Sequence, residues 1–292
     1  MSTKVQLGMS IRFIVIGITV TMILTSFWWT QAYQSPQRAF RDMLVNNLTT
    51  TSVTKSELSS NDTRNILQHV TISLGAVSAA RWLVTLQSGN TSVTTESIGT
   101  PSSGYLRYLE IQDTNKSHNY APIINVWSKG DSNTSLGLLF SQALLDVNSA
   151  PVPPIGNPSK EIRDEILDYI DSEAVFTPDY SNVKTGTVNG RKVYALNVEV
   201  KLAPYLRMMQ AFAEAYGLSA LQDIDPTQYQ AVPAAKVSIA IDKLSHTMVR
   251  VQYSAANFVE TYSDYGLTQP LTVPTAQLKV SELQKRFDSI QQ

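Results

Sequence analysis

The chain has 292 residues, 16% of them charged and 43% hydrophobic, with a formal net charge of −1, a globular composition that excludes a disordered chain. No run of Lys and Arg interleaved with aromatics is present, which argues against nucleic acid as a partner. Cysteine is absent, excluding disulfides, thiolate metal sites, a Cys nucleophile and lipid attachment through an N-terminal Cys.

From Phe13 to Trp29 the chain reads FIVIGITVTMILTSFWW. These are about 17 residues without a charge, close to what a helix needs to cross roughly 30 Å of hydrocarbon. Lys4 and Arg12 precede the run and Arg38 is the first charge after it, so the positive-inside bias places the N-terminus in the cytoplasm. Trp28, Trp29 and Tyr33 fall where an outer aromatic belt would lie. A cleaved signal peptide would need small residues after its core, and Ser26-Phe27-Trp28-Trp29 is a poor match. The expected organisation is a cytoplasmic stretch at 1–12, a transmembrane signal anchor at 13–33 and an extracytoplasmic α+β domain at 34–292.

Ser35-Pro36 is a helix start, and Phe40, Met43, Leu44 and Leu48 follow at helical spacing. Between Thr49 and Gln112 the pattern becomes Thr- and Val-rich with period-two alternation, Trp82, Val84 and Leu86 against Arg81, Thr85 and Gln87. This predicts antiparallel strands with one wet face. A Pro-rich loop, Pro151 to Pro158, separates two predicted helices, Leu136 to Leu145 and Lys160 to Phe176.

Val183 to Val200 reads as a hairpin in which Asn189-Gly190 supplies the positive-φ residues of a type I′ turn. Tyr194, Leu196, Val198 and Val200 share one face of its second strand. A second hairpin pairs Lys236–Asp242 with Met248–Tyr253, with Val237, Ile239, Ile241, Val249, Val251 and Tyr253 as the inner set. Between the hairpins, the helix Ala203–Tyr216 has Pro204 in its first turn and Gly217 after its end. Tyr205, Met208, Met209, Phe212 and Tyr216 form an aromatic and thioether stripe, and Ala211 lies off it. The stripe fits either core packing or an adaptable lining for a hydrophobic ligand. Pro274–Gln292, with Leu278, Leu283, Phe287 and Ile290, is expected to end as a docked helix.

No catalytic motif stands out, and the chain is expected to be neither an enzyme nor a binder of metals or cofactors. His69, His118 and His246 read as ordinary surface or hairpin histidines. Glu161, Asp164, Glu165 and Asp168 read as the solvated face of an amphipathic helix. Asn-x-Ser/Thr triplets start at Asn47, Asn61, Asn90, Asn115 and Asn133, weak signals for glycosylation.

The order of these elements, with Gly190, Val193, Tyr194, Leu196 and Val198 in one hairpin and Val237–Asp242, Val249 and Val251 in the next, resembles the bacterial LolA, LppX and LprG group of half-barrel envelope proteins. The resemblance implies a curved antiparallel sheet wrapped around helices and an apolar concavity for acyl chains. The inner strand faces and the helical stripe then give a candidate lining of Tyr194, Leu196, Val198, Tyr205, Met208, Met209, Phe212, Tyr216, Ile239 and Val251, with a lipid or acyl-chain ligand. Members of the group are commonly soluble or lipidated, whereas this chain has no lipobox Cys. The alternative expectation is a filled, non-catalytic domain used for protein interaction, sensing or scaffolding.

Overall fold

The computed structural model describes residues 18–29, 33–60, 63–75, 77–114, 118–130, 136–217, 221–254, 258–267 and 270–291. The expected cytoplasmic stretch and parts of the expected anchor, 13–17 and 30–32, lie outside these residues. Residues 18–28 are helical, with Met22, Ile23, Leu24, Phe27 and Trp28 exposed. Among the described residues no helix is long and apolar enough to cross a membrane.

The first helix of the folded body, α1 (Pro36–Thr49), begins as its sequence dictates. Ser35 Oγ accepts the Arg38 N–H at 3.2 Å, and Pro36 opens the first turn. Phe40, Met43, Leu44 and Leu48 are buried along one side. A five-stranded meander follows: β1 (Ser52–Ser60), β2 (Arg64–Leu74), β3 (Ser78–Ser88), β4 (Thr91–Thr100) and β5 (Ser103–Asp113). Next come β6 (Ser128–Lys129), the helices α2 (Leu139–Val147) and α3 (Lys160–Ser172), then β7 (Phe176–Pro178), β8 (Lys184–Val188) and β9 (Arg191–Val200). The chain continues with α4 (Leu202–Ala215), β10 (Ala235–Asp242), β11 (Met248–Tyr253), β12 (Phe258–Ser263), β13 (Leu278–Lys279) and α5 (Val280–Gln291).

Among the described residues the strands all belong to one curved, unclosed sheet in the order β13-β6-β5-β4-β3-β2-β1-β12-β11-β10-β9-β7, with β8 also paired to β9. Its strand pairs are antiparallel except β13 with β6. The fold is therefore α+β, with α1 to α4 contributing to a single apolar cluster against one sheet face. The β8–β9 hairpin turns as its sequence requires, with Asn189 at φ 49° and Gly190 at φ 78°.

Four expectations need correction. Val249 was expected to face inward beside Val251. The β10–β11 register shifts at Ala240/Ile241 so that Met248 faces Ile241, making Val249 the extra residue of a bulge. It packs with Val193 and Ala240 in a small separate cluster, and Met248 takes the inward position. The third helix ends at Ser172 rather than Phe176 because Ala174 turns left-handed at φ 46° and Phe176 pairs with Val200. The Asn47 triplet offers no accessible acceptor, since Asn47 is fully buried and its Nδ2 donates to the Pro153 carbonyl at 3.1 Å.

The fourth correction is the start of α2, at Leu139 instead of Leu136. Leu136–Leu138 form a turn laid directly on the sheet where Gly99 and Gly104 face each other across β4 and β5. A Cβ on Gly104 would overlap the Leu136 carbonyl, and one on Gly99 would sit 2.7 Å from the Phe140 nitrogen. The glycines are what allow this close backbone approach.

The Pro-rich segment is not a surface loop. Val152 and Ile155 are fully buried. A buried loop must satisfy its own backbone polar groups, and Pro151, Pro153, Pro154 and Pro158 carry no N–H to satisfy. Asn47 serves the Pro153 carbonyl, and Asn148 Oδ1 accepts the Ile155 N–H at 3.4 Å. Gly104→Ala should lower stability by about 1–3 kcal/mol through overpacking, while Gly186→Ala, with nothing within 4 Å of the added carbon, should leave it nearly unchanged. Urea unfolding of both variants measures the contrast.

Candidate functional site

On the inner face, Leu196 of β9 faces Ile239 of β10, which in turn faces Val251 of β11. Tyr194 and Val198 flank this row on β9. From above, α4 presents Met208, Met209 and Phe212, all buried, with Tyr205 and Tyr216 half-buried against the same cluster. The ten residues of the candidate lining thus come together in one place. Phe40, Met43 and Leu44 of α1 belong to the same cluster, and the space between helices and sheet is filled.

Tyr205 Oη donates to the Ala150 carbonyl at 2.9 Å, tying α4 to the Pro-rich segment. Its burial drives the phenol pKa well above the ordinary value. The Tyr216 ring packs against Phe212 with centroids 4.9 Å apart and the planes tilted by 44°, and burial pushes its pKa up to about 12. Both remain protonated donors near neutral pH.

Open space lies on the other side of α4. Between α3 and α4 runs a groove of about 510 Å³ lined by Ile162, Ile166, Tyr169, Met208, Ala211 and Ala215, with Glu165, Arg207 and Glu214 also in its walls. Beneath it, sharing Ile166 and Met208, an apolar crevice of about 10 Å³ reaches Leu44, Leu48, Val152, Pro153, Ile170 and Phe212. That is about the space of one water probe. The hydroxyls of Tyr169 and Tyr216 are buried without a hydrogen-bond partner among the described residues. Ala211, placed off the stripe by periodicity, is a wall of the groove.

A second feature had no sequence signal. Lys55 of β1, 2% exposed in its side chain, lies 2.8 Å from Glu260 of β12, 3.4 Å from Glu57 and 3.3 Å from Asp146 of α2. Lys55 Nζ also donates to the Asp146 carbonyl at 3.1 Å. Tyr253 and Tyr262 donate to the other Glu260 oxygen at 3.0 and 2.9 Å. Burial by itself would lower the lysine pKa, but the hydrogen bond and charge of Glu260, with Asp146 and Glu57, more than offset it and leave the value raised. For Asp146 burial outweighs the attraction of Lys55, so its pKa is also raised; its Oδ2 has no hydrogen-bond partner among the described residues. Val53, Lys55 and Glu57 do alternate onto one face in the sequence, but an alternating polar face reads as solvated.

The histidines find partners the sequence could not place. His69 Nδ1 is hydrogen-bonded to Ser56 Oγ at 2.7 Å across β1 and β2. His118 packs edge-on to Tyr120. His246, expected at a hairpin surface, is 1% exposed, with Nδ1 2.9 Å from Asp42 Oδ2 of α1. Among the described residues no group of three or more His, Asp or Glu could hold a metal ion.

The fold and groove together define a class: an open antiparallel sheet carrying helices on one face, with an apolar cleft between two of those helices. No family model matches the chain, and no curated protein matches it. Among solved structures, LprF from Mycobacterium bovis is similar with a TM-score of 0.34 and 14% identity, covering 82% of this chain and 95% of that one. A porin-like protein from Bacteroides uniformis is similar with a TM-score of 0.21 and 9% identity, covering 74% of this chain and 98% of that one. Both likenesses are weak.

Replacing Lys55 by Met leaves the buried Glu260 carboxylate without its cation, beside the partly exposed Glu57 and Asp146, and should cost about 3–5 kcal/mol, measured by chemical denaturation. Asp146→Asn tests the raised pKa. Between the ordinary value of 3.8 and its raised value in the folded chain, the folded state holds a proton that the unfolded state releases, so stability falls as pH rises through that window. The Asn variant should lose that slope. Met209→Ala, in the filled core, should cost about 2–5 kcal/mol.

Proposed function

We propose that this chain is a membrane-anchored, extracytoplasmic, non-catalytic protein that binds the acyl chain of a lipid or lipidated ligand in the groove between α3 and α4. Residues 13–33 would be the single-pass anchor, with the N-terminus in the cytoplasm and residues 34–292 outside. Lys4 and Arg12 on one side of the apolar run support that orientation. The observation that carries the binding reading is the groove itself. Its size suits a small apolar ligand, it has an apolar floor and charged residues in its walls, and a crevice continues from it toward the core.

Each methylene buried there contributes about 0.8 kcal/mol. Met208 between groove and crevice can repack around chains of different shape. Tyr169, whose hydroxyl lacks a partner among the described residues, can donate to an ester or carboxylate oxygen, and Arg207 can pair with an anionic head. The crevice widens if α3 moves, and α3 buries only Ile166 and Ile170.

One observation favours the interaction, sensor or scaffold reading: the space between the sheet and α1 is already filled. Photolabelling separates the two. The full-length chain in nanodiscs is exposed to a phospholipid carrying a diazirine in its acyl chain, irradiated, and mapped by peptide mass spectrometry. Labels on α3 and α4, in addition to the 13–33 region, are expected. Ala211→Trp, at an exposed groove wall, should reduce the α3 and α4 labels severalfold and leave the anchor labels unchanged. Labels confined to the anchor region in the parent chain would replace lipid binding with the interaction reading.

A further inference from the structure

The helical residues 18–28 meet the folded body at one defined place. Trp29 stacks on Tyr33 at 4.6 Å, and Tyr33 stacks on His246 at 4.8 Å. Tyr33 Oη donates to the Leu244 carbonyl at 3.4 Å, and Tyr194 Oη donates to the Gln34 carbonyl. Tyr33 thus touches the β10–β11 turn, residues 243–247, through both Leu244 and His246, and Tyr194 of β9 fixes the next residue of the chain.

That turn is held firmly. Asp242 Oδ1 accepts the N–H groups of Leu244 and Ser245 at 2.8 and 2.9 Å. Asn46 Nδ2 donates to the carbonyls of Ser245 and His246 at 3.0 and 3.1 Å, and Asp42 holds His246. Yet at its tip Leu244 is 66% exposed, level with Phe27 at 65% and Trp28 at 53%. A rigid turn that presents a bare leucine beside exposed aromatics is shaped to meet an apolar phase.

Basic side chains outnumber acidic ones around the tip. The Lys243 N–H donates to the Lys192 carbonyl at 2.9 Å, joining this turn to the β8–β9 turn and its Arg191. Among the described residues Arg191, Lys192 and Lys243 form no ion pair with a carboxylate. The nearby acids are engaged: Asp42 with Arg38 and His246, Asp242 with its own turn.

We propose that the β8–β9 and β10–β11 turns form a membrane-docking surface: Leu244 enters the interface of the bilayer that carries the N-terminal helix, and Arg191, Lys192 and Lys243 meet anionic phospholipid headgroups. This rests on the reading of residues 13–33 as the membrane span and is independent of any ligand in the groove. Aromatic and basic groups beside an apolar tip are the side chains that hold a surface at the headgroup level. The domain would then stand on the membrane with its strands running outward, and would not swing on a tether.

Because the chain has no cysteine, single labels can be placed at will. Ile23→Cys, Leu58→Cys and Leu244→Cys are spin-labelled in the full-length chain in nanodiscs, and collision rates with oxygen and with a water-soluble nickel chelate report depth. Leu58, 61% exposed, lies toward the opposite end of the strands. With phosphatidylcholine plus phosphatidylglycerol, the Ile23 label should sit in lipid, and the Leu244 label should be severalfold better shielded from nickel than the Leu58 label. That shielding should weaken in phosphatidylcholine alone and in a Lys192→Gln/Lys243→Gln background. An Ile23 label in lipid with Leu244 as nickel-accessible as Leu58 overturns the docking surface and leaves the span intact. An Ile23 label in water overturns the span and the docking with it.

Discussion

Two antiparallel meanders, β1 to β5 and β9 to β12, become one sheet only where β1 pairs with β12. At that seam Lys55 faces Tyr262 and Glu57 faces Glu260, so the Lys55–Glu260 ion pair crosses it diagonally inside the molecule. The remaining ligands of the cluster come from α2 and from Tyr253 and Tyr262. One buried cation thus fixes the register of the seam, the docking of α2 and the depth of β11. A buried pair of this kind contributes less net stability than its Coulomb energy suggests, because both partners lose their water. Its effect is selectivity: slipping β1 by one residue would turn Lys55 out and leave Glu260 buried alone.

Around that seam the helices divide the labour. Helix α1 and the Pro-rich segment fill the space over β9 to β11, while α3 rests lightly on α4. The groove lies along the least buried helix of the layer, where a side-chain shift costs the fewest contacts. Glycines at 99 and 104 bring α2 against the sheet at the other end, and this gives Asp146 its reach to Lys55.

Local signals carried much of the architecture. Cap chemistry at Ser35-Pro36 started α1, Asn189-Gly190 set the hairpin, and period-two alternation placed Leu196, Val198, Ile239 and Val251 on one face. The ten lining residues lie together because helical and strand periodicity each report which way a side chain points. Periodicity does not report whether the facing volume is occupied, which depends on Phe40, Met43 and Leu44 from a distant helix. The Val249 bulge, the Gly104 approach and the Asp42–His246 contact, 204 residues apart in sequence, are long-range facts with no local trace. Ala211 lies off the stripe, as periodicity places it, but periodicity gave no sign that this face meets an open groove beside α3. The fold class follows the half-barrel expectation in its curved, open sheet.

The separation of the seam strands sets the order in which the chain can be built. The Thr261 hydroxyl that donates to the Ser56 carbonyl belongs to a residue 205 positions later. At synthesis rates of about 5–20 residues per second, β1 waits roughly 10–40 seconds for its partner. Throughout that interval its edge is unpaired, a template for any extended segment. Lys55 and Glu57, alternating on the nascent strand, keep that edge hydrated and charged until Glu260 arrives. The same residues that become the interior of the finished protein act first as its solubility tag.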